Sequence, residues 1–349
     1  MRSGRGGNCL PDVPAKDAQR EVTFSNVSTR MEHHLLGQLC ALMCAVTWAF
    51  ALVLFKQSTK HIPPLALNLF KNAVGLVLLL ATVGILHVAG CDGFAVVRAH
   101  SWWKIGVLLL SGVIGIALAD TIFFHALRLI GVGLISIVDC AYAPSVVLFS
   151  WLLLSERVNA AHYAGGALIL VGVFLASSHK APPDRTRRQI IIGMLLAPLA
   201  VALMAFGIVL ATPVVRDFPL VWATTIRMAA GSVALVPVAL VGRGWQAHWQ
   251  VFRPSASWRV ALPAAFLGAY LSMMLWIAGF KHTDASIAGI LSQTSVIFAT
   301  VLATLVLKES FDRRKAVALT LAVVGVVIVM LSNWLLTQWR SVVTFVYAG

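Results

Sequence analysis

Apolar residues in this chain run on for about twenty positions at a time, the length at which a helix crosses ~30 Å of hydrocarbon. Ten such runs, bounded by charges, proline or glycine, fall at residues 35–55, 65–88, 103–127, 132–154, 160–178, 190–211, 220–241, 260–280, 285–307 and 316–336. No period-two alternation marks the strands of a barrel, and lipid offers backbone groups no partner, so each run predicts a transmembrane helix. The expected fold is therefore an all-α polytopic membrane protein. Residues 1–34 are polar, aperiodic and without a signal-peptide core. They predict a disordered tail, with either Met1 or Met31 as the start of translation.

The charged stretch 179–189 divides the spans five and five. Because five is odd, the halves must run through the membrane in opposite directions. A shift of 153 positions lays Gly115 on Gly268, Arg128 on Lys281, Leu152 on Leu305, Glu156 on Glu309 and Gly172 on Gly325. The chain reads as two inverted five-helix repeats, an arrangement that places a binding site at the repeat interface and supports alternating access.

Polar residues inside the spans stand out against this background. The hairpin 103–127 and 132–154, turning at 128–131, carries Asp120 nine residues before the turn and Asp139 eight after it. At ~1.5 Å per residue both lie roughly 12–14 Å below one membrane face, called here face A, the face reached after the first span. Lys71 and Trp48 count to the same depth on the second and first spans. A charged side chain in mid-helix costs ~2.5–3.5 kcal/mol even on lenient insertion scales, so Asp120, Asp139 and Lys71 are expected to face one another or a wet cavity. Two acids and one lysine leave a surplus carboxylate, able to take a cation or a coupling proton; the alternative is an Asp–Lys brace between helices. His125, about one turn nearer face A, either extends a proton path or is an ordinary interfacial histidine.

The second repeat has Met273 and Ser292 where the first has Asp120 and Asp139. Its polar groups there are Ser292, Gln293, Thr294 and Ser295. Arg227 stands where Lys71 stands, at an offset of 156, and is positioned either to meet an anionic substrate group or to cap a neighbouring helix. Glu156 and Glu309 are expected to be solvated or paired near Arg157 and Lys308.

Composition narrows the classes. The chain is 59% hydrophobic and only 11% charged, against about 25% charged in soluble domains, which fits an integral membrane protein. The net charge of +14 is spread over many short loops and not gathered in a stripe with stacking aromatics, so no nucleic-acid partner is expected. The five cysteines show no framework, and neither disulfide, metal nor other cofactor is expected. No nucleophile–base pair, exposed acid pair or Gly-rich phosphate loop suggests an enzyme. Trp102, Trp103, Trp222, Trp258, Trp334 and Trp339 cluster near span ends, as an interfacial belt does.

Two five-helix halves, Glu156 and Glu309 closing each half's fourth span, and Gly172 and Gly325 within the next resemble the EamA-type family of the drug/metabolite transporter superfamily. The likeness covers 38–178 and 190–332, leaving the tail, the linker 179–189 and the C-terminal end 333–349. The resemblance implies a secondary transporter, an exporter, of a small metabolite, amino acid or xenobiotic in the plasma (inner) membrane. The partners then expected are a small-molecule substrate, the lipid bilayer and a coupling proton; a non-transporting scaffold or lipid-handling protein is the alternative. Oligomeric state stays open. Orientation has two opposed warrants: the resemblance implies cytoplasmic termini, whereas Lys and Arg at loops and helix ends number 14 on face A against 11 opposite, tail included, which favours a cytoplasmic face A.

Overall fold

The computed structural model describes residues 15–58, 62, 64–91, 93–176, 186–241, 249–307 and 313–347. Regular structure among the described residues is helical throughout. The first repeat comprises α1 (Ala15–Ser58), α2 (Pro64–Val88), a short α3 (Gly93–Ala99), α4 (Trp102–Gly112), a π-helical segment Val113–Leu118, α5 (Ala119–Asp139), α6 (Tyr142–Leu154) and α7 (Ala160–Ala176). The second comprises α8 (Arg187–Asp217), α9 (Leu220–Val241), α10 (Trp258–Ala265), a π-helical segment Phe266–Ser272, α11 (Met273–His282), α12 (Ala285–Ser292), α13 (Thr294–Leu307) and α14 (Arg313–Tyr347).

Six segments among the described residues are long and apolar enough to cross a membrane, and four shorter apolar helices complete the ten expected positions. Large apolar side chains such as Val77, Ile85, Leu195 and Val233 are more than half exposed on the outside of the bundle. Lipid is the solvent that makes such a surface tolerable. The protein is an integral, multi-pass membrane protein.

Some boundaries differ from the sequence reading. Helical backbone begins at Ala15, inside the stretch expected to be a tail, and α14 continues to Tyr347, past the expected end of the tenth span. Helical backbone also runs through 128–131, where a turn between spans three and four is expected. Ser111 nevertheless donates to the carbonyl of Gly207, while Phe149 packs edge-on against Phe206 at 5.4 Å, so both arms of the hairpin cross α8 at one level. At the start of α8, Thr186 and Gln189 form a reciprocal capping box, which satisfies two of the helix's otherwise orphaned N–H groups.

The duplication is visible in the irregularities as well as in the helices. The π-helical segments begin at Val113 and Phe266, 153 positions apart, and each third span bends at the same place. Each fourth span is also broken at equivalent points: α5 gives way to α6 at Cys140 and Ala141, and α12 to α13 at Gln293. The halves interleave, because the first helix of each repeat packs on the third span of the other. In one such contact Gly207 of α8 lies against the backbone of Gly115, and in its counterpart Gly268 lies against Phe55 of α1. The fifth helices, α7 and α14, pack backbone to backbone: a Cβ on Gly165 would stand 2.8 Å from the carbonyl oxygen of Gly325, and one on Gly325 would stand 2.6 Å from that of Gly165. Small residues permit this approach, which in lipid must be driven by close packing.

Candidate functional site

Polar side chains on α2 form a short ridge inside an apolar helix, at Asn68, Lys71 and Asn72. Spacings of three and four put them on one helical face, and Asn72 donates to Asn68 across one turn. The ridge meets the third span just past its π-helical segment, where Lys71 Nζ lies 3.7 Å from Asp120 Oδ2. Both side chains are nearly enclosed, with 13% and 12% exposure. A lone buried charge of either sign is costly, so each offsets the cost of burying the other. Asn68 lies close enough to interact with the same carboxylate.

This pair identifies the surplus acid. Lys71 belongs to Asp120, and the Asp139 carboxylate forms no hydrogen bond or ion pair among the described residues. Asp139 ends α5 at the helix break, where its backbone carbonyl has lost its intrahelical partner. Gln293, at the equivalent break in the other repeat, donates its amide to that carbonyl at 3.2 Å. The two broken helices therefore touch at their breaks, one from each half. The other amide atom, Gln293 Oε1, is buried without a partner.

Arg227 occupies the place in α9 that Lys71 occupies in α2, but its surroundings are different. It is 2% exposed, and its guanidinium lies over the Trp276 ring, 5.5 Å from the centroid. Nε and Nη1 are buried and unpartnered, and no acid pairs with Arg227 among the described residues. It caps no helix. Tyr142, the first residue of α6, is within electrostatic reach of both Arg227 and Asp139; its buried hydroxyl lies near the Trp276 side chain but forms no well-aligned hydrogen bond among the described residues.

The remaining expected residues divide. Trp48 is partly buried, with its ring edge-on to Phe55 at 6.4 Å, in an apolar cluster that includes Phe70 and Ala264. Ser292 turns its hydroxyl back on the carbonyl of Ala288 in its own helix, so of that polar run only Gln293 reaches across to the other repeat. His125 is exposed and stands outside the enclosed polar layer. Glu309 and Lys308 lie outside the described residues.

Glu156 is a correction. It was expected to be solvated or paired near Arg157, yet Arg157 is exposed and Glu156 Oε1 accepts from Arg216 Nη2 at 2.9 Å. Ser155, in the left-handed region at φ 54°, turns the chain out of α6, and the Glu156 side chain then reaches the N-terminus of α12. There it accepts from the backbone N–H groups of Ala285 and Ser286 and from the Ser286 hydroxyl. An anion at a helix N-terminus is well placed electrostatically, and here the anion comes from the other repeat. Lys281 supplies the complementary contact, donating to the carbonyls of Val215, Arg216 and Phe218 at the end of α8. The Glu156 contacts join the two halves at the face opposite face A, and Lys281 ties α11 to the end of α8 within the second half.

Asn68, Tyr142 and Trp276 were missed by sequence reasoning. The i, i+3, i+4 spacing of Asn68, Lys71 and Asn72 was a usable signal. Tyr142 and Trp276 carry none, since aromatic residues in apolar spans are common.

Comparison with known proteins agrees with this architecture. The model of the EamA-like transporter family matches residues 35–178 and 191–331, one copy per repeat. The chain is 28% identical over 143 residues to a protein of Bacillus subtilis (strain 168) named "Uncharacterized transporter YoaV"; the match covers 40% of this chain and 46%, about half, of that relative. A protein crystal structure with 20% identity aligns with a TM-score of 0.71 over 87% of this chain and 99% of its own, a likeness of fold. With both repeats matched and nearly all ten spans inside them, the chain belongs to the EamA-like transporter family.

Proposed function

We propose that the protein is a secondary transporter, an exporter, that moves a small metabolite, amino acid or xenobiotic across the membrane by alternating access, with the substrate held between the repeats and a proton coupled to its movement. The observation that carries this reading is the meeting of two broken helices, one from each repeat, in a bundle that also encloses the Lys71–Asp120 pair and an Arg227 with no acid partner among the described residues. Intramembrane ionisable groups are costly, and broken helices at a repeat interface supply polar backbone to a central cavity. Asp139 is the coupling group in this reading. Among the described residues its carboxylate has no partner, so adding or removing its proton breaks no ion pair there. The contacts of Glu156 with Arg216 and the N-terminus of α12 close the face opposite face A and must part once in each cycle.

Flux into vesicles reconstituted with the purified full-length chain tests this. A solute gradient should drive saturable movement that an imposed pH gradient accelerates. Asp139→Asn should fold and insert normally, because no bond of the carboxylate is lost, while flux loses its response to the pH gradient. Lipid movement without solute flux would instead support a lipid-handling protein, and an unchanged pH response in Asp139→Asn would remove that residue from the coupling.

A further inference from the structure

Lipid and low dielectric make an isolated guanidinium among the most expensive groups a membrane protein can bury, and such groups normally have an acid or carbonyl partner. Arg227 has neither among the described residues. Its repeat counterpart Lys71 is balanced by Asp120, but the position equivalent to Asp120 is Met273. The imbalance is therefore local to the second repeat and amounts to one positive charge, with Asp139 not within ion-pair distance of it. Trp276 stabilises the cation through its ring face yet supplies no negative charge. Nε and Nη1 are buried with their protons unused among the described residues, and the Tyr142 hydroxyl, near Trp276, is within electrostatic reach of the guanidinium.

We infer that Arg227 is the anchor for the carboxylate of the transported molecule, which is a small monoanion entering the layer between the two broken helices. The inference rests on the transport reading above and adds the chemical class of its substrate. A guanidinium presents a planar fork of N–H donors that matches a carboxylate with two parallel hydrogen bonds. With Asp139 carrying its coupling proton, the one uncompensated charge is that of Arg227, and it calls for one negative charge. A dianion such as phosphate would leave the layer with an unpaired negative charge in place of an unpaired positive one. Tyr142 can donate to the same carboxylate from the first repeat, so that both halves touch one substrate group.

The test uses the purified full-length protein and matched probes, acetate, pyruvate, benzoate and indole-3-acetate beside their neutral amides, in a buffer free of other carboxylates. Thermal stability is followed, since a ligand of the native state raises it by mass action. At least one acid should stabilise the wild type while its amide does not. Arg227→Met should weaken that response about tenfold or more, the effect of losing one charge-assisted contact. Without any acid present, Arg227→Met should be more stable than the wild type, because an unbalanced buried cation has been replaced by an apolar side chain of similar length. Arg227→Lys, which keeps the charge and loses the fork, should keep stability and weaken the response. Three results would each overturn the inference: amides acting as well as acids, no acid acting at all, or Arg227→Met unfolding or melting below the wild type, which would mark Arg227 as structural. Vesicle flux separates this from the parent reading. Saturable flux of a neutral solute, insensitive to Arg227→Met, leaves the transporter standing and removes the anion site; acid-specific stabilisation without any flux does the reverse.

Discussion

Lys71 and Arg227 occupy the same place in two copies of one fold, carry the same charge and are both enclosed, yet one has an acid at 3.7 Å and the other has none among the described residues. The difference comes from a single repeat position, Asp120 in the first half and Met273 in the second. A duplicated membrane protein inherits its helices, bends and breaks in pairs, and here the paired π-helical segments and broken fourth spans remain. What has diverged is the charge balance. An inward-facing cation with its own acid holds helices together; one without an acid keeps its donors for an anionic group of a ligand, as inferred for Arg227.

Breaking the balanced side should have the largest effect. Lys71→Ala leaves Asp120 enclosed with only Asn68 nearby, and removing one partner of a buried pair costs ~3–5 kcal/mol. Thermal unfolding should show a large loss for Lys71→Ala that Asp120→Asn, added to it, largely restores. A loss below about 1 kcal/mol would mean that water reaches the pair and that the contrast with Arg227 is not one of buried charge.

The converse substitution is predicted to be intermediate. Met273→Asp rebuilds in the second repeat the acid that the first one has, and the repeat geometry places it toward Arg227 as Asp120 is placed toward Lys71. A tethered carboxylate competes with any free one, so the thermal response to carboxylic acids should weaken about tenfold or more while the protein stays folded. Combined with Arg227→Met the same aspartate becomes an unpaired buried acid and should cost ~3 kcal/mol or more. If Met273→Asp is equally damaging with and without Arg227, the two positions do not face each other and the repeats are less alike than their backbones.

Much of this was legible in the sequence, for reasons that differ by residue. Counting residues from the membrane face put Lys71 and Asp120 at one depth, and because lipid penalises unpaired charge so heavily, depth alone nearly specifies contact. The repeat offset likewise placed Arg227. The same counting could not assign Asp139 or choose between the two readings of His125, since it fixes height and not the direction in which a side chain points. The π-helical segments were not legible at all: Val113–Leu118 and Phe266–Ser272 are apolar and of ordinary helical composition. Glu156 was placed wrongly because its partners, Arg216 and the start of α12, lie 60 and 129 positions away, and only the interleaving of the halves brings them near.

That interleaving gives the smallest of the effects. Glu156→Gln keeps the length and an acceptor oxygen but removes the charge that faces Arg216 and the N-terminus of α12. The Arg216 side chain is about one third exposed, so water screens the pair, and the helix-terminus contribution is itself modest. The expected loss is ~1 kcal/mol in thermal unfolding, well below that of Lys71→Ala. Its consequence for transport should be the larger signal. These contacts join helix ends of both halves on one face, and weakening them shifts the population toward the state in which that face is open. Ser286→Cys, placed in a background without native cysteines, should then react severalfold faster with an aqueous maleimide when Glu156→Gln is present. Equal reaction rates in the two backgrounds would show that Glu156 only caps a helix, and that the two halves are held together at this face by apolar packing.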